Sequence, residues 1–394
     1  MTEWKTYRLG DLCDTISDTY KGCADEVVLI NTSDVLEGKC LNHIKEPNRN
    51  LKGQFKKTFR KYDILYSEIR PANKRFAYID FDATNYIAST KLMVLRHNEK
   101  IEPLYLYYIL QSQSIIDELQ MLAESRSGTF PQITFAELSR LEVKLPNIEV
   151  QRQILGILGA IDDKIENNRR INTNLELQAQ ALFDELICDE NLKYEYIANL
   201  EHIIETGRRP KGGVANIVNG VPSIGAENIK GLGKYDYSKT KYITEEFAQS
   251  LKKGFVKGYE LLIYKDGGKP GYFIPNFSIF GEGFPYEKMA LNEHVFLLDF
   301  GDRGYNFFAY FYMQTEEVMK YLNAQGSKAA IPGINRNDVE SIAIPTIENK
   351  TVKEFCARVE PIISAILTNA KESSRLATLR DTLLPKLMNG EIKL

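Results

Sequence analysis

The stretch FKKTFRKYDIL, Phe55 to Leu65, is basic, aromatic and runs into an apolar segment, and the chain says it again about 196 residues later as LKKGFVKGYELL, Leu251 to Leu262. Lys56-Lys57 is echoed by Lys252-Lys253, Phe59 by Phe255 and Lys61 by Lys257. After one inserted glycine, Tyr62-Asp63-Ile64-Leu65 is echoed by Tyr259-Glu260-Leu261-Leu262. The spacing holds elsewhere. INTSDVLEGK (Ile30 to Lys39) matches IGAENIKGLGK (Ile224 to Lys234), and LYLYYILQS (Leu104 to Ser112) matches FFAYFYMQT (Phe307 to Thr315). FPQIT (Phe130 to Thr134) matches IPGIN (Ile331 to Asn335), and LPNIE (Leu145 to Glu149) matches IPTIE (Ile344 to Glu348). Echoes in one order at a period near 200 mean two whole domains, whereas periods of 20 to 50 would mean a solenoid.

The second feature is a pair of matched helices. A 4-3 heptad walk from Ile154 passes Leu158, Ile161, Ile165, Asn168, Asn172, Leu175, Ala179, Leu182 and Leu186. The same walk from Phe355 passes Val359, Ile362, Ile366, Asn369, Ser373, Leu376, Arg380, Leu383 and Leu387. Sustained heptads of this kind predict coiled-coil helices. Asn168, Asn172 and Asn369 are the candidate register residues, because a slipped pairing leaves a buried amide unbonded. Antiparallel pairing is expected to relate the halves by an approximate two-fold axis and to bring the midpoints near Asn168 and Asn369 opposite each other. The alternative is that each helix packs separately on its own domain.

The chain is therefore divided into a first globular domain at residues 1–147, a helix at 148–190, a second globular domain at 191–346 and a closing helix at 347–394. Short β-rich runs (VVLI, RFAYI, KLMVL; ELLIY, HVFLL) mix with helical stretches and show no regular βαβ alternation. Each globular half reads as α+β, giving two similar domains joined by two long antiparallel coiled-coil helices. The aromatic stripes YLYYILQ and FAYFYMQ sit at helical spacing and read as core.

Composition narrows the function. The net charge is −3 with 26% charged residues, so the chain is not coated in basic groups. Charge is uneven, however: Arg49 to Arg75 holds nine basic residues against two acidic ones. No apolar run reaches the length of a membrane span, and MTEWKTYRLG is no signal peptide, so a cytoplasmic protein without a membrane partner is expected. The five cysteines (Cys13, Cys23, Cys40, Cys188 and Cys356) are widely spaced and read as buried reduced thiols, not as metal ligands. No GxxxxGK[ST] loop, GxGxxG, GxSxG or HExxH occurs, the four histidines are scattered, and there is no Pro-Pro for an amino-methyltransferase motif. No catalytic residue and no bound cofactor is expected on this chain.

YRLGDL (Tyr7 to Leu12), the KYDIL and GYELL strands, LPNIEVQRQI at the start of the first helix and the closing LLPKLMNGEIKL together resemble the specificity subunits of type I restriction–modification systems. The resemblance covers essentially the whole chain. It departs from the family pattern at LPNIE and IPTIE, where a double proline followed by Glu-Gln is usual. It implies a non-catalytic subunit with two target-recognition domains, each reading half of a split sequence in double-stranded DNA, with the helices as a fixed ruler. It further implies two adenine-N6 methyltransferase subunits as partners, which carry S-adenosylmethionine and flip the base, and restriction endonuclease subunits as a possible addition.

Shared basic residues (Lys56, Lys57, Lys252 and Lys253) then suit phosphate contact, which carries no sequence information. Bases must be read by residues that differ between the copies. In the first domain the candidates are Arg70, Asn73, Lys74 and Arg75, with Arg126, Ser127, Thr129 and Gln132. In the second they are Arg208, Arg209 and Lys211, Lys265 and Lys269, and Ser327 and Lys328. Arg and Lys suit guanine, while Asn and Gln suit adenine. The bland reading of each is a solvated loop charge. A competing reading of the whole chain is a structural adaptor that holds two protein partners apart without reading DNA.

Overall fold

A computed structural model describes residues 4–49, 53–125, 131–267, 271, 273–328, 332–392 and 394. Its packing forms two compact units, one of Met1–Ile161 with Leu379–Leu394 and the other of Asp162–Thr378. The long helices run Ile148–Ile187 and Lys350–Met388, so each unit contains a globular domain and a part of both helices.

In the first unit a four-stranded antiparallel sheet has the order Cys13–Ile16, Leu92–His97, Ile64–Ser67, Phe76–Tyr78. In a second sheet, Tyr86–Ser89 lies between Glu26–Ile30, to which it is parallel, and Phe55–Lys57, to which it is antiparallel. Lys5–Arg8 pairs with Glu142–Leu145. Strand Leu92–His97 is apolar without alternation for its first four residues because both of its faces are covered, and Leu92, Met93, Val94 and Leu95 are all buried. Helix Pro103–Leu110 is buried from Tyr105 to Leu110, so the aromatic stripe is core as expected. Its core extends onto Ile154 and Leu158 of the first long helix and Leu387 of the second.

The second unit repeats this plan. Its main sheet has the order Ile203–Thr206, Val295–Asp299, Leu261–Tyr264, Phe277–Ile279. Val221–Ile224 pairs in parallel with Ala290–Leu291, and Tyr194–Tyr196 pairs with Ala343–Pro345. Helices Arg303–Tyr312, Glu316–Gly326 and Arg336–Glu340 take the places of Pro103–Leu110, Gln113–Ser125 and Phe135–Leu138. The duplication read from the sequence is thus a duplication of topology.

The doubled stretch is a turn with a specific requirement. Tyr62 and Tyr259 both adopt φ of 75°, a left-handed conformation that costs an L-residue roughly 1–2 kcal/mol. Each donates its N–H across the turn, to the Ile79 carbonyl at 2.6 Å and the Phe280 carbonyl at 2.7 Å. The next residue holds the turn from inside. Asp63, 1% exposed, accepts from the Arg60 N–H at 2.8 Å and from Arg96 at 2.8 and 2.7 Å. Glu260, 5% exposed, accepts from the Lys257 and Gly258 N–H groups at 2.9 and 2.7 Å. The chain repeats Tyr-Asp/Glu because both copies must turn tightly into a strand whose first three residues are buried, and the carboxylate satisfies the freed amides.

Within the second unit the long helices pack antiparallel. Asn168 donates to Glu372 Oε2 at 2.7 Å and to Ser373 Oγ at 3.3 Å, while Asn172 donates to the Ile366 carbonyl at 3.0 Å. Asn369 donates to Asn172 Oδ1 at 2.8 Å. The partner number falls as the chain number rises, which fixes the direction. The midpoints near Asn168 and Asn369 do lie opposite each other, with an offset of about four residues: Asn369 meets Asn172, and Asn168 meets Ser373. The offset lets two polar pairs form at neighbouring layers of the seam.

The cysteine expectation is corrected. Cys13 and Cys356 are buried, Cys40 is half-buried, and Cys23 and Cys188 are exposed. Among the described residues no helix is long and apolar enough to cross a membrane, and no group of His, Cys, Asp and Glu is arranged to hold a metal ion.

Candidate nucleic-acid interface

Strand Ile64–Ser67 ends in a turn that the sheet alone would leave unpaired, and two distant segments complete it. Glu68 N–H donates to the Lys91 carbonyl at 3.0 Å, Ile133 N–H to the Glu68 carbonyl at 2.8 Å, and Arg70 N–H to the Pro131 carbonyl at 3.1 Å. The second unit has the same three bonds. Lys265 N–H donates to the His294 carbonyl at 2.9 Å, Ile334 N–H to the Lys265 carbonyl at 2.8 Å, and Gly267 N–H to the Pro332 carbonyl at 2.9 Å. Bond for bond, Glu68 corresponds to Lys265, Ile69 to Asp266, Lys91 to His294 and Gln132 to Gly333. One backbone platform therefore carries two unlike sets of side chains.

The candidates separate by where their donors go. In the first unit Lys56, Arg70 and Asn73 are exposed. Arg70 and Lys74 flank the Pro71–Asn73 turn in left-handed conformations, and Ala72 N–H anchors the turn by donating to Gln120 Oε1 at 3.0 Å. Gln132 accepts from Lys91 Nζ at 3.3 Å, so these two lie together on the platform. Two candidates have donors engaged inside the domain. Lys57 Nζ donates to the Thr90 and Leu92 carbonyls at 3.1 and 2.8 Å, and its burial pushes its pKa down; it braces the sheet and is not free for a phosphate. Arg75 donates from Nη1 to the Ser33 and Val35 carbonyls at 3.0 and 3.4 Å, which ties a loop to the domain. Arg126, Ser127 and Thr129 lie outside the described residues, as does Lys269.

In the second unit Arg208, Lys211, Lys252 and Lys253 are exposed, and Lys328 is exposed with Nζ on Gln325 Oε1 at 2.7 Å. Arg209, Lys265 and Ser327 are engaged within the domain or buried. Arg209 binds Glu293 through Nε at 2.7 Å and through Nη2, and also donates from Nη2 to His294 Nε2 at 2.7 Å. Lys265 Nζ turns to the Glu293 carbonyl at 3.2 Å and lies 5.3 Å from the centre of the Phe296 ring. The Ser327 hydroxyl is buried with no partner among the described residues, so it faces no base. Burial alone would raise the Glu293 carboxyl pKa; the Arg209 hydrogen bond and the surrounding donors outweigh it and hold the group below the usual carboxylate range.

Lys91, Asp266, Glu293 and His294 were not singled out in the sequence. Their only signal is position, at the margins of the apolar strands whose ends build the platform, and that position has meaning only once the sheet is paired.

Comparison with known proteins decides what this platform belongs to. Residues 1–177 match the family described as the type I restriction modification DNA specificity domain. The specificity subunit of the type I restriction enzyme HindI from Haemophilus influenzae is 30% identical, with the whole of each chain covered. This chain belongs to the type I restriction–modification specificity subunits. The specificity subunit of the enzyme MjaIX from Methanocaldococcus jannaschii is 24% identical, over 73% of this chain and 69% of that one. The crystal structure of a type I restriction–modification system S subunit from M. genitalium shares the fold, with a TM-score of 0.57 at 15% identity over 98% of this chain and 96% of that one. In this specificity subunit, as in its family, the interfaces to account for are those with DNA and with partner subunits, and the twin platforms are the candidates for the first.

Proposed function

We propose that this specificity subunit reads a bipartite target, with each globular domain contacting one half-site in double-stranded DNA through its platform. The observation that carries the proposal is the twofold occurrence of the Glu68–Lys91–Pro131 bonds as Lys265–His294–Pro332, the same three backbone bonds with divergent side chains. A shared backbone gives both domains one docking mode, and unlike side chains give them different base preferences. The paired helices, each about 60 Å long at about 1.5 Å per residue, are the element suited to setting a fixed gap. The chain itself acts as the non-catalytic reader. Two methyltransferase subunits, carrying S-adenosylmethionine, dock on it and methylate adenine N6 in the cytoplasm, and restriction endonuclease subunits are the further partners. Family membership weighs against the adaptor reading.

The test is a map of N6-methyladenine, by long-read sequencing, in a methylation-free host that expresses the chain with its methyltransferase partner. A split motif that disappears when this chain is omitted is the expected result. Methylation indifferent to its presence would refute the proposal.

A further inference from the structure

The loop leaving strand Ile203–Thr206 carries two consecutive arginines, and the structure gives them different roles. At its root, Gly207 packs so closely that a Cβ would overlap the Leu291 carbonyl, which fixes the start of the loop. Arg209 is then tied down by Glu293 and His294. A guanidinium can only donate, so His294 Nε2 is the acceptor and the ring proton lies on Nδ1, where it donates to Asp266 Oδ1. The chain Glu293–Arg209–His294–Asp266 thus fastens the loop to the platform turn that follows strand Leu261–Tyr264. Arg208 behaves differently. It is exposed, makes no hydrogen bond or ion pair among the described residues, and borders an open recess of about 420 Å³ with Arg209, Pro210 and Glu293.

We propose that Arg208 reads a guanine in the half-site of the second domain, and that Arg209, Glu293 and His294 position it. This rests on the bipartite reading above. Two parallel donors on one flat group match guanine O6 and N7 in the major groove, a pair of acceptors that no other base presents together. An arginine on a swinging loop would lose that match to disorder, whereas a backbone pinned one residue away keeps it oriented before DNA arrives. The first unit has Thr90 and Lys91 where the second has Glu293 and His294, so the arrangement acts on one half-site only.

Motif mapping on variants of the full chain, co-expressed with the methyltransferase, decides it. Arg208→Gln should relax one guanine position in one half-site, with discrimination there falling roughly 5- to 150-fold, the range of a good bidentate contact. Glu293→Gln and Arg209→Lys should relax the same position by a smaller factor, with melting temperatures near wild type and the other half-site unchanged. A uniform loss of methylation with an intact motif would make Arg208 a phosphate contact and overturn the inference, as would an unchanged motif. Relaxation by Arg208→Gln with Glu293→Gln and Arg209→Lys both silent would overturn the positioning role. A wild-type map with no split motif would instead overturn the bipartite reading, and this inference with it.

Discussion

The Asp63–Arg96 pair contributes to the stability of the first unit, and its contribution can be worked from contacts. Asp63→Ala removes a carboxylate that is 1% exposed and leaves two Arg96 donors and the Arg60 N–H without their acceptors. Truncating one partner of a buried ion pair costs about 3–5 kcal/mol. Arg96 keeps 23% of its side chain exposed and can recover some water, so the lower end applies, at about 3 kcal/mol. The orphaned Arg60 amide adds about 1 kcal/mol. The expected total is about 4 kcal/mol, against about 2 kcal/mol for Glu260→Ala, because Glu260 holds two backbone amides and has no ion pair among the described residues. Urea unfolding followed by circular dichroism, on Asp63→Asn, Arg96→Leu and the double variant, isolates the pair. A coupling of at least about 1.5 kcal/mol is expected, within the range for residues in direct contact. Additive single effects, or a loss for Asp63→Ala no larger than for Glu260→Ala, would show that the turn is held by something else.

Three further outcomes follow from the helices and the thiols. Asn168 is 1% exposed, its Oδ1 has no partner among the described residues, and the Glu372 carboxylate it would leave behind keeps access to water, so Asn168→Leu should stabilise the chain by about 1 kcal/mol; a lower melting temperature would contradict this. One heptad inserted in each long helix, after Ile161 and after Thr378, adds about 10.5 Å at about 1.5 Å per residue, or about three base pairs at about 3.4 Å each. The methylation map should then show a longer gap between unchanged half-sites, and altered half-sites would end the ruler idea. Burial pushes the Cys13 and Cys356 thiols up to about 12, so both stay protonated at neutral pH and should react with a thiol reagent only after unfolding. Exposed Cys23 and Cys188 should react at once in the native protein, and equal labelling of Cys13 and Cys23 would refute the burial argument.

The duplication, the α+β character of each half and the long heptad helices were all legible in the sequence. They rest on local signals: an apolar run, a heptad step, or a Tyr-Asp pair that recurs because each copy needs the same turn. The register of the helices was only half legible. Heptad spacing shows which residues line the seam, but which layer meets which depends on the partner helix, and there Asn369 chose Asn172.

The candidate site was legible as a set of loops and not as a set of free side chains. Lys57, Arg75, Arg209 and Lys265 are as basic in the sequence as Arg70 or Arg208. What separates them is an acceptor between 28 and 84 residues away: the carbonyls of Leu92, Val35 and Glu293 and the carboxylate of Glu293. Lys91 and His294 have no motif, and sheet pairing carries them to the platform. The sequence by itself determined that there are two readers of one design, because propensity and periodicity act over a few residues. Only the tertiary structure decided which charges remain for a ligand, because a charge is used up by whichever polar group the fold brings within about 3 Å.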